Sequence, residues 1–185
     1  MRKEMKVLTL LSGGIDSATV LWMMREHERM AIGFLYGQRS AYYESTAAFS
    51  LAEMEKVPFE TKSLPEMKLP ANMVWGGRNA ILISHAAAHA LANDCDAVAI
   101  GCNQTDWEVF PDCRPAFIKG MGAALKEGYG LTLFAPLLHL SKAQVVQEAK
   151  TLGVPLEKTW SCYTPIDDLP CGKCMACEVR TRAGA

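Results

Sequence analysis

Residues 7 to 24 place Ser12-Gly13-Gly14-Ile15-Asp16-Ser17 between two apolar runs. Val7 to Leu11 is an apolar run of the length a buried strand takes, and Ala18 to Met24 continues as a helix. A glycine pair at a strand-to-helix turn lets backbone come close to a ligand, and the helix start offers free N–H groups to an anion. Ser12 and Ser17 add hydroxyls to the same spot. Asp16 is itself acidic, so its expected work is to bridge to phosphate through Mg²⁺ or to order the loop. No Gly-Lys-Ser/Thr follows, so this is not a Walker loop.

The remaining chain repeats the alternation. Met30 to Leu35 reads as a second strand, Ala41 to Lys56 as a helix and Phe59 to Leu64 as a third strand. A loop over 64–77 precedes an alanine-rich helix, Asn79 to Asn93, apolar enough to be expected buried on all sides. Ala97 to Ile100 is a fourth strand, and Asp112 is expected to cap a helix carrying Phe117, Met121 and Leu125. Leu131 to Phe134 is a fifth strand. Ser141 and Gln144 form a capping box for the next helix, which stops at Gly153. The expected fold is therefore α/β: five parallel strands with helices on both faces. The whole of 1–185 is expected to be one domain. In such sheets ligands lie beyond the carboxyl ends of the strands. The segments after strands are 12–16, 36–39, 101–106 and 136–142, which should share one edge.

Seven cysteines and a net charge of −1 frame the rest. The start lacks a cleavage pattern, so a cytoplasmic location is expected, and thiols there are not read as disulfides. No lysine or arginine block provides a nucleic-acid footprint, and no run spans a membrane. Cys162, Cys171, Cys174 and Cys177 have C-x8-C-x2-C-x2-C spacing, a ligand set for structural Zn²⁺ within a 160–178 element; an iron–sulfur cluster uses similar ligands. Arg78 and Asn79 follow Trp75-Gly76-Gly77 and are candidates to grip an anion. The 101–114 segment is dense in the acceptors and aromatics that a planar, donor-rich heterocycle needs.

The first loop resembles the pyrophosphate loop of the ATP-pyrophosphatase superfamily. The whole chain, from Ser12 to Ser17 through Tyr36-Gly37-Gln38-Arg39, Gly77-Arg78-Asn79, Thr105-Asp106, Pro111-Asp112-Cys113-Arg114 and His139 to Lys142 to the cysteines, resembles the 7-cyano-7-deazaguanine synthase family. That resemblance implies an adenine-nucleotide α-hydrolase-like fold and a homodimer. It also implies ATP-dependent conversion of 7-carboxy-7-deazaguanine and ammonia to the nitrile, through an adenylated carboxylate and an amide. ATP is then expected along Leu11, Ser12, Gly13, Gly14, Ile15, Asp16, Ser17, Ala18, Thr19, Val20 and Leu21. Ser12, Asp16, Ser17 and Lys142 are the candidate catalytic groups. Tyr36, Gln38, Arg39, Arg78, Asn79, Asp106, Asp112 and Arg114 are the candidate substrate contacts. Relative to the family, Gln104 replaces glutamate, Ser40 replaces histidine, Trp107 to Phe110 replaces an aromatic-Ser-Gly-Tyr segment, and the loop before Arg78 is shorter. The alternatives are a relative that stops at the amide, another acceptor such as a transfer RNA, a module that hands a deazaguanine to a partner protein, and a zinc-dependent nucleic-acid module.

Overall fold

A computed structural model describes residues 4–65 and 76–185, so Trp75 and most of the loop expected over 64–77 lie outside the described residues. Five strands form one sheet: β1 (Lys6–Leu10), β2 (Glu28–Leu35), β3 (Phe59–Ser63), β4 (Ala97–Ala99) and β5 (Thr132–Phe134). Their order is β3-β2-β1-β4-β5, and every pairing is parallel. β1 is central, with Thr9 opposite Ala31 on one side and Ala99 on the other. The chain winds outward through β2 and β3, then crosses back to β4. The reversal opens a crevice between the ends of β1 and β4, where such sheets take their ligands.

Alternation along β1 explains the two layers. Val7 and Leu11 face a core completed by α1 (Ile15–Met23), α2 (Ala41–Met54) and α5 (Lys142–Leu152), which contribute Leu21, Trp22, Leu51 and Val145. Leu8 and Leu10 face the opposite core, against Ile83 of α3 (Arg78–Ala92) and Ile118 and Leu125 of α4 (Pro115–Tyr129). A strand buried on both faces reads as a continuous apolar run, which is how Val7 to Leu11 reads. Among the described residues, no helix is long and apolar enough to cross a membrane.

Two local expectations are corrected. α3 is not buried all round: Ile83, Ala86, Ala87 and Ala90 face the core, while Ser84, His85, Ala88 and Leu91 are exposed. Alanine is small enough to sit on either face, so its abundance carried no directional signal. Asp112 does not cap α4, whose cap residue is Arg114. It lies in a short 3-10 turn and instead accepts the backbone N–H of Asn79 at 2.8 Å, in the first turn of α3. Asn79 returns the contact, its amide donating to the Asp112 carbonyl at 3.2 Å. The cap is made across 33 residues of chain, where no local rule looks for it. After α5, the tail adds a final helix, α6 (Met175–Arg182), which was not expected.

Candidate active site and cysteine centre

The turn after β1 closes on itself through its hydroxyls. Ser17 Oγ accepts the Ser12 N–H at 3.2 Å and lies 3.1 Å from Ser12 Oγ. Ser17 also donates to the Gly14 carbonyl at 3.1 Å. Gly13 is left-handed at φ +80, and a Cβ there would come within 2.4 Å of the Glu44 carbonyl in α2. Both facts require glycine. Gly101, at the end of β4, is as constrained: its Cβ would meet the Asp16 carbonyl carbon at 2.8 Å and the Ser17 nitrogen at 2.9 Å. Thus the crevice at the chain reversal is narrow, and α1 begins directly against the β4 loop.

Three loops are joined there by charge. Lys142, first in α5, places Nζ 2.7 Å from each carboxylate oxygen of Asp16. Asn103, fully buried, donates its amide to Asp16 Oδ2 at 3.2 Å and to Asp106 Oδ2 at 2.8 Å. Its Oδ1 accepts the Thr105 N–H at 2.8 Å, and Thr105 Oγ1 accepts the Lys142 N–H at 3.0 Å. Every polar atom of this asparagine side chain is used. Burial, followed by the nearby charge of Asp16, pushes Asp106 up to about 6, against the opposing pull of Lys142.

Beside this network lies an aromatic cluster. Arg78 begins α3 after left-handed Gly77, with its guanidinium carbon 6.0 Å from the Tyr36 ring centroid and 5.8 Å from that of Phe110. Its Nη1 donates to the Tyr36 hydroxyl at 3.1 Å. Tyr163 is close enough to interact with both Arg78 and Asp106, and burial pushes its phenol up to about 12. Trp107 stands edge-on to His139, with ring centroids 5.7 Å apart.

The other candidates bond within their own turns and loops or stand exposed. Gln38 is buried in its own turn: its Oε1 accepts the Tyr36 N–H at 2.8 Å and its amide donates to the Phe34 carbonyl at 3.0 Å. Arg39 is exposed and makes no ion pair among the described residues. Arg114 is exposed and donates to the Trp107 carbonyl at 2.8 Å, bracing the loop. Asn79 and Asp112 are buried partners of each other. Beyond Ser17, Ala18 to Leu21 are buried, and Thr19 Oγ1 donates to the Ile15 carbonyl at 2.7 Å. Asn103, Phe110 and Tyr163 lie among these groups and were not singled out from the sequence, because amide and aromatic side chains inside a loop look alike until the loop is folded.

The four cysteines converge, their sulfurs all lying within 4.8 Å of one another. Tetrahedral zinc with bonds near 2.3 Å sets sulfurs about 3.8 Å apart, so the thiols present the right donors at nearly the right spacing. The Cys171 N–H points to Cys162 Sγ at 3.2 Å and the Cys174 N–H to Cys171 Sγ at 3.3 Å. Such bonds stabilise thiolates. Arg180 of α6 ties the element to the sheet domain, donating to the Leu156 carbonyl at 2.6 Å and Thr159 Oγ1 at 2.8 Å. Trp160 donates its backbone N–H to the Gly13 carbonyl at 2.8 Å and stacks on Tyr43 at 4.5 Å. The cysteine element is therefore bonded directly to the back of the first loop. A groove of about 270 Å³ between Tyr42, Thr46, Lys158 and Trp160 contains none of Asp16, Lys142, Arg78 or Asp106.

The model of the family described as queuosine biosynthesis protein QueC matches residues 6–69 and 54–185. A 7-cyano-7-deazaguanine synthase of Prochlorococcus marinus (strain MIT 9312) is 35% identical over 212 residues, covering 98% of this chain and 94% of that protein. The synthase of Synechococcus sp. (strain CC9311) is 34% identical, covering 95% and 91%. Both alignments are longer than this chain, so the relatives carry segments it lacks. Among solved structures, a 4-thiouridine synthetase in complex with RNA and bound ATP superposes with a TM-score of 0.55 at 16% identity; the match takes in 97% of this chain and 49% of that one. That likeness is one of fold. The family match and the near-full-length relatives together place this chain in the QueC family.

Proposed function

We propose that this protein is an ATP-dependent 7-cyano-7-deazaguanine synthase, converting 7-carboxy-7-deazaguanine and ammonia to the nitrile. The observation that carries the proposal is the bonded series Lys142–Asp16–Asn103–Asp106, which joins the first loop, the β4 loop and the start of α5 at one sheet edge. A carboxylate resists ammonia because its charge repels the nucleophile and oxide is a poor leaving group. Transfer of AMP to the carboxylate oxygen, with loss of pyrophosphate, removes both obstacles.

The chain's groups fit the parts of this task. Ser12, Ser17 and the free N–H groups of the loop receive the departing pyrophosphate where negative charge builds. Lys142 adds a cation at the same edge. Asp16 is a hard oxygen donor that would hold Mg²⁺ together with phosphate oxygens. Asp106, whose charge is felt by Arg78 and Tyr163, accepts hydrogen bonds from the guanine-like edge, while Tyr36, Phe110 and Tyr163 cover the ring. The four cysteines would hold zinc, which closes the tail around one ion and so keeps Trp160 against Gly13. The proposal includes a single domain acting in the cytoplasm as a homodimer.

The test is to incubate purified protein with the carboxylated deazaguanine, ammonia and ATP. AMP, pyrophosphate, amide and nitrile are followed in single turnovers. AMP release that depends on the deazaguanine, with amide rising before nitrile, is expected. AMP release that ignores this acceptor would defeat the proposal, and amide that never becomes nitrile would limit it to the first half.

A further inference from the structure

Arg78 is a largely enclosed cation that meets no matching anion among the described residues. Among the described residues its one hydrogen bond goes to a neutral phenol, Tyr36, and no carboxylate lies within ion-pair distance. Two carboxylates, Glu44 and Asp106, feel its charge without pairing with it, and both are held elsewhere. Glu44 is held by Ser40 Oγ at 2.6 Å and Gln38 Nε2 at 3.2 Å. Asp106 is held by Asn103. The guanidinium is always charged and carries five N–H donors in a flat fork, so most of its donors remain open here. An enclosed charge left unpaired is unfavourable, and an anionic ligand relieves it. Its walls, Tyr36 and Phe110, are aromatic, with Tyr163 beside them. A flat ring bearing a planar carboxylate matches such walls better than a triphosphate does. Phosphate already has its own receptors in the Ser12 to Ser17 loop and Lys142.

We infer that Arg78 is the receptor for the acceptor's carboxylate, and that it therefore serves the acid far more than the amide. This rests on the proposed reaction and deepens it. In the first half, one carboxylate oxygen stays on the guanidinium while the other attacks the α-phosphorus; the new C–O–P link forms as the bond from that phosphorus to pyrophosphate breaks. Ammonia then displaces AMP, losing a proton, and gives a neutral amide. The ion pair with Arg78 is gone at that stage. The second activation, through the amide oxygen, then proceeds with Arg78 as a neutral-acceptor donor only. The enzyme thus holds its starting acid more firmly than its own intermediate, through one residue.

The experiment compares wild type, Arg78→Met and Arg78→Lys on two starting acceptors, the acid with ammonia and the amide alone, each with ATP. Binding of acid and of amide without ATP is measured by calorimetry, and thermal melting checks folding. Loss of a charged, forked contact is expected to lower kcat/KM for the acid about 100-fold and for the amide no more than about tenfold. Arg78→Lys should recover part of the acid reaction. Equal losses on both acceptors with a raised KM for ATP would assign Arg78 to the triphosphate and overturn the inference, as would no loss on either. A wild type that turned over neither acceptor would sink the proposed reaction instead. The binding arm would then still decide Arg78: wild-type affinity equal for acid and amide overturns the receptor role, whereas a preference for the acid lost in Arg78→Met supports it.

Discussion

Lys142 Nζ lies 2.7 Å from both oxygens of Asp16, although 126 residues separate them in sequence. Both side chains are mostly buried, at 16% and 20% exposure, so solvent screens the pair weakly. Removing one partner strands the other charge. Lys142→Met is therefore expected to slow pyrophosphate release at least about 100-fold in single turnovers. Asp16→Ala and Ser12→Ala should abolish both amide and nitrile formation. Amide formed by Asp16→Ala at the wild-type rate would refute the role given to this loop.

Gly101 and Gly120 should respond oppositely to alanine. At Gly101 the new methyl collides with backbone of Asp16 and Ser17, which side-chain rotation cannot relieve. Gly101→Ala should lower stability by roughly 2 kcal/mol or more and impair ATP turnover by shifting Asp16. Gly120 is exposed within α4, and a methyl added there would meet nothing within 4 Å, so Gly120→Ala should add roughly 0.5–1 kcal/mol. Denaturant midpoints for the two variants give the comparison.

Asp106 makes stability depend on pH. Its carboxyl is raised from 3.8 to about 6, so the folded state holds the proton over a window in which the unfolded chain has released it. Stability therefore falls as pH rises from about 4 to about 6, and the ionised carboxylate burdens the fold above that. Asp106→Asn should raise stability at neutral pH by roughly 2–3 kcal/mol and add little below the window, while weakening deazaguanine binding. A gain of equal size at pH 3.5 and pH 7.5 (about the two ends of the titration) would contradict this account.

Asp112→Ala should act on α3 first. The carboxylate caps the Asn79 N–H, and its loss is expected to cost about 1–2 kcal/mol. The start of α3 carries Arg78, so acceptor binding should weaken without any change in the KM for ATP. A raised KM for ATP with unchanged stability would show a different role.

Protein purified without added metal should contain about one zinc per chain and no iron. Chelation is expected to lower the melting temperature and to free the segment carrying Trp160, detectable as a change in its fluorescence, since Trp160 is stacked on Tyr43 and bonded to Gly13. Retention of the full melting temperature after complete zinc removal would show that Arg180 and Trp160 hold the tail alone.

Several features were legible before folding because they obey local rules. Val7 to Leu11 announces a strand buried on both faces, and Ser141 with Gln144 announces the start of α5, whose capping box is present. The boundaries of α3 were readable within a residue, but its orientation was not, since alanine fits core and surface alike. Asp112 was legible as a cap and illegible as to which helix it caps, because the recipient N–H arrives from 33 residues away.

The sequence by itself determined the alternation of strands and helices, the glycine turn after β1 and the convergence-ready spacing of four cysteines. Each depends on neighbours a few residues apart, through backbone conformation, hydrophobic period or ligand reach. Tertiary structure alone decided that Lys142 meets Asp16, that Asn103 joins two carboxylates and that Arg78 sits between Tyr36 and Phe110. Those pairings follow from the reversal of strand order between β1 and β4, which brings the loops of distant strands to one edge. A single charged residue carries no mark of its partner; the partner is set by which strand ends become neighbours in the sheet.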